Sequence, residues 1–235
     1  MAIAAIDTAS VIGGIRLAAA RSGVDFDYLL AQARVESGLN PAAAAPTSSA
    51  RGLYQFTAGT WLDTVRKHGA EHGLGWAADA LKAGADPTTR ATILDLRRDA
   101  GTSASMAAAL AADNAKLLER RLGHTANATE LYLAHFLGAG GAARFLQARA
   151  ANPDGAASAA VLPAAARANA SVFTARGGRA RTLAEVYERF SAKLAVAPAT
   201  VAATGNTAAR TGSALPVNAP AAARTAYLLL AEFGA

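Results

Sequence analysis

Phe26-Asp27-Tyr28-Leu29-Leu30-Ala31-Gln32-Ala33-Arg34-Val35-Glu36-Ser37-Gly38-Leu39-Asn40-Pro41 is the stretch whose reading decides the fold. Phe26, Leu29, Leu30, Ala33, Glu36 and Ser37 recur at i, i+3, i+4 and i+7 spacing, the period of one helix face. Ser22 and Asp25 offer N-caps before them, and Gly38 followed by Asn40-Pro41 stops the pattern. The spacing predicts a helix over Phe26–Ser37 with Glu36 on its apolar stripe, where a carboxylate is unexpected. Burial disfavours the charged form and raises a glutamate above its ordinary pKa of about 4.3. A glutamate tuned towards about 6 or 7 protonates a leaving oxygen at neutral pH. The competing reading is a helix-terminal Glu that pairs with Arg34 or Arg51 and faces solvent.

Outward from this helix the pattern stays helical. A first helix is expected over about Asp7–Arg21, with Ile12 and Ile15 inward. A third, about Ala58–His68, carries Trp61, Leu62 and Val65. Gly69–Asp86 reads as irregular and Gly-punctuated. Helices follow near Thr89–Ala100 and Ser105–Leu122. Thr129 is placed to cap another, with Leu131, Tyr132 and Phe136, that breaks at Gly138-Ala139-Gly140-Gly141. Thr182 and Glu185 make a capping box. It opens a helix with Leu183, Val186, Tyr187, Phe190 and Leu194 on one stripe. No internal repeat and no alternating strand pattern occurs, so the expected class is all-α. The expected organisation is a helical domain over 1–193, a flexible Ala-, Pro-, Thr- and Gly-rich linker over 194–222, and a short helix over 223–235 around Leu228–Leu230.

Composition agrees and narrows the function classes. Hydrophobic residues make up 52% and charged residues 17% of the 235, a balance for a folded chain. Much of the apolar fraction is alanine, which favours helix and fills little volume, so closely packed helices are expected. The absence of cysteine excludes disulfides, thiolate metal sites and a cysteine nucleophile. No apolar run approaches the roughly 20 residues of a membrane span, and none is expected. Met1–Thr8 lacks a positive n-region and carries Asp7, so no signal peptide is read there. The net charge of +6 suits nucleic acid, anionic lipid or an anionic polymer, or simply reflects an Arg-rich proteome. No basic run is interleaved with aromatics, so no nucleic-acid partner is expected. His68, His72, His124 and His135 form no metal-ligand pattern, and neither metal nor cofactor is expected. Gly138–Gly141 permits close backbone approach to a ligand, but no Lys-Ser or Lys-Thr follows as in a phosphate cradle.

The helix end is followed by a second motif. Glu36-Ser37-Gly38-Leu39-Asn40-Pro41 and Ser49-Ala50-Arg51-Gly52-Leu53-Tyr54-Gln55-Phe56, in that order and separation, resemble the two leading motifs of the SLT-type lytic transglycosylases, of the lysozyme-like superfamily. A third region, Leu131-Tyr132-Leu133-Ala134-His135-Phe136-Leu137-Gly138-Ala139-Gly140-Gly141, is similar to the family's Ala-Tyr-Asn-Ala-Gly-Pro-Gly. Here His135 and Phe136 replace the Tyr and Asn. The likeness covers roughly Val24–Lys193.

The resemblance implies a lysozyme-like helical domain in which Glu36 is the catalytic acid and base. Ser37, Tyr54, Gln55, Tyr132 and His135 are the implied substrate-binding set. Each residue also has a plainer reading. Ser37 orients the Glu36 carboxylate or only caps the helix. Tyr54 stacks on a pyranose or belongs to the core. Gln55 bonds a sugar N-acetyl group or steadies its own turn. The family's Tyr supports the catalytic carboxylate, and Tyr132 is the candidate to substitute for it. Asn114, on a stripe with Met106, Leu110, Leu117 and Leu118, is a structural tie or a cleft residue, since a buried Asn is costly unless bonded.

Most glycosidases use two carboxylates. Asp63 and Glu71 are the nearest carboxylates after the first two motifs and stand in no recognisable motif. A lytic transglycosylase needs one. The implied reaction cleaves the β-1,4 MurNAc-GlcNAc bond of peptidoglycan non-hydrolytically and leaves 1,6-anhydro-MurNAc ends. The alternatives are a goose-lysozyme-like muramidase, which hydrolyses the same bond, and a catalytically weak peptidoglycan-binding assembly factor. A helical interaction protein with a chance motif pair is the remaining class. The implied partners are glycan strands in the cell envelope or periplasm, with a secretion or flagellar apparatus as a partner for the C-terminal tail and the export route left open.

Overall fold

The computed structural model describes residues 7–161 and 163–195. The expected linker and terminal helix lie outside the described residues, except that Leu194 and Ala195 complete the last helix. The described residues are helical, and their only β-type pairings are isolated bridges. The fold of the described residues is all-α, as expected.

The N-terminal half runs through α1 (Thr8–Ser22), α2 (Phe26–Ser37), α3 (Ala58–His68), α4 (Gly75–Lys82) and α5 (Pro87–Asp95). Asp7, Asp25, Thr57 and Asp86 cap α1, α2, α3 and α5 by accepting first-turn N–H groups, which satisfies donors that have no partner inside a helix. The segment over 69–86, expected to be irregular, instead contains a 3-10 turn at Gly69–His72 and the two-turn α4. Ala77 and Ala78 of α4 are buried, so packing of small residues supports a helix that the flanking glycines disguise. The helix expected near Thr89–Ala100 starts earlier, at Pro87, and ends at Asp95. A 3-10 turn at Leu96–Arg98 follows.

The 23-residue α6 (Ala100–Leu122) is the central post, packed against α1, α3 and α7 (Ala128–Ala151). Ala104, Ala107, Ala108 and Ala111 of α6 are buried, and Gly14 of α1 faces Gly101 at the head of α6. Small residues along these seams let helix axes approach closely, which is where the alanine content is used. Asn127, not Thr129, caps α7. It forms a capping box with Glu130. The expected break at Gly138 is a dislocation rather than an end: Gly138 takes φ 70° and ψ 153°, and the helix resumes beyond it. A positive φ of this kind suits glycine.

The short helices α8 (Ala157–Ala160), α9 (Pro163–Ala168) and α10 (Ala170–Phe173) lead to α11 (Leu183–Ala195). The Thr182–Glu185 capping box is present: Thr182 N–H donates to Glu185 Oε2 at 2.9 Å, and Glu185 N–H donates to Thr182 Oγ1 at 3.1 Å. Leu183, Val186, Phe190 and Leu194 are buried on one face of α11, which packs against both α7 and α2. This returns the C-terminal helix to the end of the molecule where Glu36 sits.

Candidate active site

The end of α2 is built to present Glu36. Gly38, at φ 64°, donates to the Arg34 carbonyl at 2.9 Å, and Leu39 N–H reaches the Ala33 carbonyl at 3.4 Å. This paired closure spares the last carbonyls of the helix. The Ser37 hydroxyl donates to the Leu53 carbonyl at 2.7 Å and lies 3.1 Å from the Ala33 carbonyl, while Asn40 N–H donates to it at 3.1 Å. Ser37 therefore ties the first motif to the second.

The second motif is a braced loop. Arg51 bridges Ala44 and Phe56, and Gly52 N–H donates to the Ala43 carbonyl at 2.8 Å. Arg97 holds it from behind. Its guanidinium Nη1 donates to the Ser49 carbonyl at 2.7 Å and the Phe56 carbonyl at 3.1 Å, and Nε donates to the Leu94 carbonyl. Burial, then the neighbouring Arg51, lowers the Arg97 pKa from its ordinary value, yet a guanidinium remains charged throughout the accessible range.

Tyr54 is fully buried, and its hydroxyl donates to the Leu29 carbonyl of α2 at 3.1 Å. It underpins α2 and offers no surface to a sugar ring. Gln55, 5% exposed with φ 49°, turns its Nε2 inward to the Gly52 and Ala43 carbonyls at 2.8 and 3.2 Å. The amide steadies its own loop.

Two of the residues singled out in the third region meet Glu36. The Tyr132 hydroxyl donates to Glu36 Oε1 at 3.1 Å, and His135 Nε2 lies 3.4 Å from the same oxygen. Tyr132 and His135 are one turn apart on α7, and their rings lie nearly parallel, 9° and 6.0 Å between centroids. The Glu36 side chain is only 3% exposed. Phe190 of α11 packs on Tyr132 and Phe136 at 5.6 and 4.9 Å between centroids. Lys193, one turn further along α11 than Phe190, sets its ammonium 6.0 Å from the Tyr132 ring centroid.

These neighbours respond to one another electrostatically. Burial pushes the Tyr132 hydroxyl well above its ordinary pKa, and the Glu36 charge and hydrogen bond add to the shift. Burial raises Tyr28 in the same way, with Glu36 again contributing. Both phenols remain protonated, so Tyr132 is a donor at every working pH. Burial lowers the Lys193 pKa and Arg189 adds to that, while the Glu36 charge opposes them.

Sequence reasoning did not single out Tyr28, Gln32, Arg97 or Lys193. Tyr28, Gln32 and Glu36 stand at i, i+4 and i+8 and are all buried, whereas Phe26 is only half-buried. The inward face of α2 is thus rotated from the purely apolar stripe, and the row of polar residues at four-residue spacing was the available signal. Arg97 and Lys193 carry no such signal, because paired basic residues and a helix-terminal lysine are ordinary surface features.

Residues 14–86 match the family model for the transglycosylase SLT domain. The matched stretch holds Glu36, Ser37, Tyr54 and Gln55, while Tyr132, His135 and Lys193 come from helices beyond it. Among the described residues no helix is long and apolar enough to cross a membrane. The first two motifs, their order and the all-helical frame that carries them agree with this match: residues 14–86 are similar to the transglycosylase SLT domain, whose family comprises lytic transglycosylases that act on peptidoglycan.

Proposed function

We propose that Glu36 cleaves the β-1,4 MurNAc-GlcNAc bond of peptidoglycan alone, as acid and then as base, and that the product ends in 1,6-anhydro-MurNAc. The observation that carries this reading is a single carboxyl on a buried helix end, with Oε1 engaged by the Tyr132 hydroxyl and faced by His135. In the first half of the reaction the Glu36 proton passes to the glycosidic oxygen as the C1–O bond breaks. In the second, the 6-hydroxyl oxygen of the same MurNAc bonds to C1 and its proton returns to Glu36. No water is consumed, and the carboxyl ends as it began. The nucleophile is tethered to its target, an advantage of several kcal/mol in favourable geometry. Asp63, the first carboxylate after the second motif, is an exposed partner of Arg66, which supports a mechanism that does not use it.

In this reading Tyr132 orients the carboxyl and steadies it when charged. Tyr54, Gln55 and Ser37 act through the backbone they hold. Tyr132→Phe is expected to slow cleavage by about tenfold or more, because a hydrogen bond to a charged group is worth about 1.5–3 kcal/mol. Its melting temperature should stay within a few degrees of wild type. Assay of soluble muropeptide release checks this, and an unchanged rate would remove Tyr132 from the machinery.

The product tests the mechanism itself. Digestion of murein in ¹⁸O-labelled water, followed by mass spectrometry, is expected to give non-reducing anhydro ends that lack the label and are lighter by one water than hydrolytic ends. Reducing, label-bearing ends as the main product would make the enzyme a muramidase of the goose-lysozyme kind, with the substrate unchanged.

A further inference from the structure

Beside the Glu36, Tyr132 and His135 side chains is a small, partly polar cavity. Tyr28, Gln32, Asn114 and His135 line it together with Phe56, Ala107, Leu110 and Ala111. Its volume is about 10 Å³, room for one water. Gln32 is 3% exposed, and its Oε1 has no protein hydrogen-bond partner among the described residues. A buried acceptor left without a partner costs about 1–3 kcal/mol. Half of the wall is apolar, so a water here has only the four polar side chains to bond, within the two to four partners such waters need.

The cavity reaches Glu36 through two of its lining residues, Gln32 and His135. Gln32 lies one turn before Glu36 on the same buried face of α2. His135 lines the cavity and also sets Nε2 3.4 Å from Glu36 Oε1. We propose that the cavity holds one bound water that hydrogen-bonds Gln32 Oε1 and the His135 ring, and that it fixes the imidazole against Glu36, which makes Gln32 and Asn114 positioning residues of the active site. This rests on the reading of Glu36 as the acid. It also gives a physical role to the replacement of the family's Tyr by His135. An imidazole has two nitrogens with distinct roles, and a partner on one side sets the tautomer presented on the other. Gln32 and Asn114, from α2 and α6, supply that second side.

A high-resolution crystal structure of the full chain is the direct test. An ordered water within about 3.2 Å of Gln32 Oε1 and of the His135 imidazole is expected, and a dry cavity would overturn the proposal. Gln32→Met supplies the functional test, because it conserves volume and removes the acceptor. Its kcat is expected to fall about fivefold to tenfold with KM within twofold. The His135 ring ¹⁵N resonances, assigned by their loss in His135→Gln, should shift or broaden. Unchanged ring resonances would overturn the positioning role, whatever the rate does, since a packing role alone leaves the imidazole as it was. The ¹⁵N readout needs no turnover. If Glu36→Gln retained activity, the acid assignment would fail, while the water and its effect on His135 would still be read independently.

Discussion

Glu36→Gln is expected to lower peptidoglycan cleavage by about 10²–10⁴-fold, the range that a positioned general acid contributes, while the fold stays intact. The substitution is nearly isosteric. Its amide oxygen still accepts from the Tyr132 hydroxyl, which meets Glu36 Oε1 at 3.1 Å in the native protein. What disappears is a transferable proton. The side chain is only 3% exposed, and an amide of nearly the same volume leaves its packing in place, so the melting temperature should hold. Muropeptide release and thermal unfolding, measured on the same preparation, check both halves. Turnover within tenfold of wild type would dismiss Glu36 as the acid.

Gly52→Ala should be the most damaging single substitution outside the carboxyl itself. Gly52 takes φ 83°, and a Cβ built there would lie 1.9 Å from the Arg97 carbonyl oxygen. That oxygen is backbone and cannot swing aside without moving the turn at Leu96–Arg98. The same residue's guanidinium holds the Ser49 and Phe56 carbonyls, so displacement loosens the loop at two further points. The left-handed conformation alone costs about 1–2 kcal/mol for a non-glycine residue. With the clash added, about 3–5 kcal/mol is expected, a drop of roughly 10 °C or more in melting temperature for a domain of this size. Gly123→Ala is the control. Gly123 has a comparable φ of 79°, but a Cβ there meets nothing within 4 Å, so only the conformational part applies. Equal losses in the two variants would mean that the approach to Arg97 is not what makes Gly52 necessary.

The contrast between these two residues marks where sequence reading worked and where it did not. Glu36 was legible because its signal is local: a carboxylate on an otherwise apolar helical stripe, closed by Gly38, with the Gly52–Gln55 motif at a set distance. The bounds of α2 and α3 were legible for the same reason, since caps and stops act within a turn. The ends of α7 and the helix at Gly75–Lys82 were less so. Glycine marks a change in backbone conformation without saying whether the helix ends or continues, and Gly138 is dislocated within a helix that resumes.

By itself, the sequence determined an all-helical domain and a buried glutamate at a helix end, because helical period, capping chemistry and the two leading motifs are written in consecutive residues. Only the tertiary structure decided what surrounds that glutamate. Tyr132 and His135 reach Glu36 across 96 and 99 positions of chain, and Lys193 approaches from α11. Tyr54 and Gln55, adjacent in the motif and equally able to meet a sugar, are turned inward to the Leu29, Gly52 and Ala43 carbonyls. The orientation of a side chain in a loop follows from which backbone groups need partners once the helices have packed, and no spacing in the linear chain encodes that.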